Sequence, residues 1–124
     1  DCTTAPQCWH APAITNPSIW PLGNGSVFLA YSTGCPSCPI SRGHKHVGLA
    51  FGQNATGPFV DVTPDKPIFP FASEDPAIWH DPTNTLGPER WHIFSHTDFS
   101  GAAENGTWAH VSAHAVAASP WGPW

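Results

Sequence analysis

Two short stretches carry residues whose types and spacing could act on a ligand, Asn16-Pro17-Ser18-Ile19-Trp20 and Glu74-Asp75-Pro76-Ala77-Ile78-Trp79. Each sets a polar Asn or Asp directly before a proline and a Trp four residues later. A carboxylate such as Asp75 can orient a polar substrate or take part in proton transfer. Asn16 can only hydrogen-bond, because an amide neither attacks nor takes up a proton. On extended strands, even spacing puts Trp20 on the face of Asn16 and Trp79 on the face of Asp75. Each Trp is then either a platform for a sugar ring or a packing residue between repeated units. Glu74 adds a second carboxylate, but strand neighbours point to opposite faces. It shares a site with Asp75 only if the strand bulges, and is otherwise a solvated or backbone-bonded Glu at a strand start.

Eight His stand against four Lys plus Arg. His44 and His46, His92 and His96, and His110 and His114 are spaced to share a strand face. His96 and Asp98 fall at the end of a strand-like run, where they could hydrogen-bond a sugar; the alternative is that these are scattered polar strand and loop residues. The cysteines form two close pairs, Cys2/Cys8 and Cys35/Cys38, which allow three connectivities. Local pairing is preferred, since each bond would clip a Pro-containing loop. A CxxC metal site completed by His44 and His46 is the competing reading. No metal and no cofactor is expected. Asn24-Gly-Ser, Asn54-Ala-Thr and Asn105-Gly-Thr are N-glycosylation sequons beside Gly, whereas Asn16-Pro-Ser is disqualified by its proline. Together with the disulfides they make the chain read as a secreted, extracellular glycoprotein.

The elements that position these residues follow from composition. Charged residues make up 10% of the 124, against about 25% in ordinary soluble proteins. A formal charge of −5 argues against nucleic acid and anionic membrane as partners, and no apolar run approaches spanning length. Fifteen Pro and eleven Gly leave no room for long helices but suit short strands and turns. The chain starts at Asp1 with no visible signal peptide, so it reads as a processed or partial product.

An internal repeat organises the rest. Asn16-Pro-Ser-Ile-Trp20 matches Asp75-Pro-Ala-Ile-Trp79, 59 positions on, and Val27–Tyr31 matches Trp91–Ser95 at 64. His46–Ala50 matches His110–His114 at 64, and Gly57-Pro-Phe59 matches Gly122-Pro-Trp124 at 65. The offset grows at an insertion near Thr83–Gly87. Each copy reads as an antiparallel meander of four strands, with the second copy reaching Trp124 before its fourth. The expected organisation is a clipped segment 1–12, a first unit 13–72 and a second, incomplete unit 73–124. Units of this kind build β-propellers, which close with 4–8 blades. Two blades therefore predict a piece of a five-bladed propeller or completion by assembly, with a small two-sheet sandwich as the alternative.

The N-P-S, E-D-P and W-x-G-P motifs resemble the five-bladed β-propeller glycosidases, the arabinanase-, xylosidase- and invertase-like enzymes, and most closely uncharacterised secreted members of that superfamily. The resemblance spans Ile14 to Trp124. It implies that first strands line a central funnel whose acidic residues meet the sugar. Asp75 falls on the family's second-blade Asp, which orients substrate and steadies the transition state. Asn16 falls where catalytic members carry a carboxylate, and the general acid would lie on a later blade. Glycoside cleavage needs both an acid and an opposed carboxylate. The expectation is a carbohydrate-recognising protein with Asp75 as the catalytic candidate and Asn16, Trp20, Trp79, His96 and Asp98 as substrate-binding candidates. Hydrolysis is left open by Asn16. The alternative is a structural extracellular glycoprotein that self-assembles into a coat or filament.

Overall fold

A computed structural model describes residue 9 and residues 13–34, 45–85, 87–98 and 110–124. Seven strands and no helix lie among them: β1 (Ala13–Pro21), β2 (Val27–Gly34), β3 (Lys45–Gly52), β4 (Phe59–Asp61), β5 (Ser73–His80), β6 (Trp91–Asp98) and β7 (His110–Ala117). They form two antiparallel meanders, β1-β2-β3-β4 and β5-β6-β7, and neither closes on itself. The expected all-β class with two repeated sheets is therefore observed. A fourth strand is described in the first repeat only.

The turns explain why the chain reverses where it does. Leu22 N–H donates to the Ser26 carbonyl (2.8 Å) across the short β1–β2 turn. The equivalent β5–β6 turn closes with Asp81 N–H on the Arg90 carbonyl (2.7 Å) and holds the inserted residues. Buried Asp81 organises that insertion, accepting from the backbone and hydroxyls of Thr83 and Thr85. In both units the third strand is followed by a Gly-Pro turn whose glycine has a left-handed φ, +80° at Gly57 and +87° at Gly122, which only glycine adopts freely.

The ladders also set the repeat. Phe28 lies opposite Phe51, and its counterpart His92 lies opposite Val116. The third strands are thus equivalent at an offset of 65, so Leu49 corresponds to His114 and Gly48 to Ala113. The offset of 64 read from His46 and His110 is one residue short, because a shared His-Val dipeptide aligned more readily than the strand register it sits in. A one-residue slip exchanges the faces of a strand.

One face of the first sheet packs on one face of the second. Phe28, Ala30, Val47 and Leu49 meet Ile78, Trp91, Ile93, Ala113 and Ala117 in a common core, with Phe69 beside them. Phe28 contacts Phe51, Trp91 and Trp121 at ring-centre distances of 5.0–5.7 Å. On the other side of the first sheet, buried Trp9 reaches across and donates its indole N–H to the Pro64 carbonyl (3.3 Å).

Candidate functional site

β1 and β5 each carry a register shift at the same repeat position, between Thr15 and Ser18 and between Glu74 and Ala77. The residues at the shifts, Asn16 (φ +50°) and Asp75 (φ +54°), are left-handed. Asn and Asp tolerate that conformation best among non-glycine residues. Pro17 and Pro76 follow, and neither has a backbone N–H to lose where the ladder is interrupted. Hydroxyls serve the groups that the bulge frees. Asp75 N–H donates to Ser32 Oγ (3.0 Å), and the Glu74 carbonyl accepts from Ser95 Oγ (2.7 Å). Ile78 N–H donates to Ser18 Oγ (3.2 Å), which ties the two sheets together along the same seam.

The two bulges meet. Asn16 Nδ2 donates to Asp75 Oδ1 across the sheets, and both residues are exposed. Glu74 lies beside Asp75, with Lys45 Nζ at 2.6 Å from its Oε2 and His96 Nδ1 at 3.9 Å from its Oε1. One polar atom each from Glu74, Asp75 and His96 falls within 4.8 Å of the others. The alternation that would separate two neighbouring carboxylates is broken by the bulge, the condition under which Glu74 can share a site with Asp75. The hydrogen bond to Glu74 raises the Lys45 pKa, opposed in part by desolvation, so this ammonium stays charged through the neutral range.

The arrangement sets five side chains on one rim: an amide and an ammonium that donate, two carboxylates that accept, and an imidazole that can do either. The carboxylates stand side by side on one strand, not on opposite sides of a gap that a glycosidic bond could enter, and glycosidase pairs are separated by roughly 5–9.5 Å. Glu74, Asp75 and His96 could each offer a ligand atom to a cation, but Lys45 already sits on Glu74.

The tryptophans lie elsewhere. Trp20 packs between the sheets, edge-on to Trp91 and His80 at 6.4 Å each. Trp79 lies on the outer face of the second sheet, tilted against His92 at 4.8 Å. Both stand four residues past their bulge, roughly 12 Å along the strand. His96 belongs to the cluster, and Asp98 pairs by its backbone with His110 at the end of β6. Asn24 and Asn54 occupy exposed turns, each with its side-chain oxygen accepting from the Ser or Thr two residues on. Asn105, His44, Cys2, Cys8, Cys35 and Cys38 lie outside the described residues. Sequence reasoning missed Lys45, Ser32 and Ser95. Lys45 had a signal, as one of four cations in the chain, but it was hidden between two histidines. A separate cavity of about 460 Å³ lies between Val62–Pro70 and Trp121–Trp124, against the opposite ends of the strands.

No protein-family model matches the chain, and no curated protein matches it.

Proposed function

We propose that this chain recognises carbohydrate through the rim formed by Asn16, Lys45, Glu74, Asp75 and His96, as a secreted protein of the glycosidase-like β-propeller type. The observation that carries the reading is the meeting of Asn16 and Asp75 at matching left-handed bulges. Non-glycine residues held in that conformation cost about 1–3 kcal/mol each and gather where function demands a fixed side-chain direction. Amide and carboxylate groups fixed in this way suit the paired donors and acceptors of neighbouring sugar hydroxyls. Hydrolysis is not required by this reading, since Asn16 supplies no carboxylate and the Glu74–Asp75 pair does not flank a gap. The exposed positions of Asn24 and Asn54 support N-glycan attachment at both.

The test is titration of soluble arabino-, xylo- and fructo-oligosaccharides, followed by calorimetry or NMR, with sugar release assayed in the same samples. Saturable binding is expected, and Asp75→Asn should weaken it at least about tenfold. Asn tolerates the same backbone conformation, so the fold is retained and the loss reports on the carboxylate. No binding across the panel, or an unchanged affinity for the variant, removes the proposal.

A second reading, an assembling extracellular structural glycoprotein, is favoured by the exposed aromatic face of the second sheet.

A further inference from the structure

At the rim each carboxylate is half used. Asp75 Oδ1 accepts from Asn16 Nδ2, and Glu74 Oε2 accepts from Lys45 Nζ at 2.6 Å. Among the described residues, neither Asp75 Oδ2 nor Glu74 Oε1 receives a hydrogen bond. His96 Nδ1 faces Glu74 Oε1 at 3.9 Å, beyond hydrogen-bond reach. A neutral imidazole presents one ring nitrogen as an acceptor. Two carboxylate oxygens and an imidazole nitrogen therefore border one small space, with one polar atom of each residue within 4.8 Å of the others.

That spacing has a chemical preference. A primary ammonium carries three donors in tetrahedral directions, and charge-assisted bonds of about 2.8 Å set its acceptors about 4.6 Å apart. A small metal ion with bonds of about 2.1 Å needs neighbouring ligands about 3.0–3.4 Å apart. At 3.9 Å, Glu74 Oε1 and His96 Nδ1 stand wider than that, so a metal would have to draw them together. Lys45 shows that an ammonium is accepted here, since its own already rests on the other oxygen of Glu74. Charge points the same way. With a neutral imidazole the rim sets two negative groups against one positive, on a chain of formal charge −5. A sugar carboxylate would be repelled there, and an ammonium attracted.

We propose that the rim selects a carbohydrate bearing a free primary amine, whose ammonium sits among the second oxygens of Glu74 and Asp75 and His96 Nδ1. This selection rests on the carbohydrate reading of the rim and adds the class of sugar to it. Asn16 is the positioning residue, holding one oxygen of Asp75 so that the other turns to the ligand. Lys45 is the specificity-determining residue. It occupies one oxygen of Glu74 and repels a second cation, and so limits how tightly the amine is held.

Calorimetric titration near neutral pH and at low salt tests it, with matched oligomers of glucosamine, N-acetylglucosamine and glucose. The glucosamine oligomer is expected to bind at least about tenfold more tightly than the other two, and added salt should shrink that advantage. Glu74→Gln keeps the shape and removes the charge, and should erase most of the preference. Lys45→Met should tighten glucosamine binding by about threefold or more, a gain that misfolding cannot produce. Equal binding of the three oligomers overturns the ammonium site and leaves the carbohydrate reading standing, as does binding confined to arabino-, xylo- or fructo-oligosaccharides. No binding of any of these sugars removes both. A glucosamine preference that Glu74→Gln leaves intact, or weaker glucosamine binding in Lys45→Met, overturns the placement of the amine.

Discussion

At Gly48 a single missing carbon decides how the first sheet is covered. A Cβ placed there would fall 2.5 Å from the Tyr31 ring and 2.7 Å from the Trp9 indole. Tyr31 is buried, and that burial, reinforced by the neighbouring Asp61 carboxylate, pushes its phenol well above the ordinary value. Neither aromatic ring can retreat without exposing apolar surface or breaking its polar contact. Gly48→Ala should therefore destabilise the fold by about 1–3 kcal/mol, the usual range for overpacking. Urea denaturation followed by Trp fluorescence measures this, and an unchanged midpoint would mean that Trp9 does not hold its position. Asn16 and Asp75 are the other residues whose backbone sets their role. The sequence displayed both as Asn or Asp before Pro, and it assigned Asp75 as the chief candidate. It gave no sign that the two would touch, because residues 59 positions apart meet only through the packing of two sheets.

Between elements, the β6–β7 pair carries a histidine couple. His92 Nδ1 and His114 Nε2 lie 2.9 Å apart and share one hydrogen bond. Desolvation, and secondarily the charge of His92, hold the His114 pKa below its ordinary 6.5. The folded chain then takes up this proton at lower pH than the unfolded chain does. Stability from this pair is complete above about pH 6.5 and declines as pH falls below it, because the unfolded state binds the proton first. The denaturation midpoint should be lower near pH 5.5 than near pH 7.5, and His114→Gln should flatten the difference. An equal slope in the variant would place the pH dependence on other groups. Strand identities and most turns were readable from Gly and Pro positions and from alternation. The bulges were not. Their interrupted pairing is fixed by Ser32 and Ser95, whose hydroxyls come from other strands.

Across the whole molecule, the two sheets share one core, so they are expected to unfold together. Phe28 sits at the centre of that core, against rings from β3, β6 and the C-terminal turn. Phe28→Ala should cost about 3–5 kcal/mol, a large part of the roughly 5–15 kcal/mol that holds an ordinary domain together. Far-UV circular dichroism and Trp fluorescence should still report a single coincident transition. Two separated transitions in the wild-type chain would show that the sheets are independent units.

The sequence by itself determined the all-β class, the repeat, and most strands and turns. These follow from local rules: proline removes a donor, glycine permits a left-handed turn, and alternation sorts the two sides of a strand. Tertiary structure decided the true offset of the third strand, the meeting of Asn16 with Asp75, and the recruitment of Lys45 and His96. It also drew Trp20 into the junction between the sheets. Each of these depends on register and on which faces meet, and the chain settles both by packing its apolar surface as a whole.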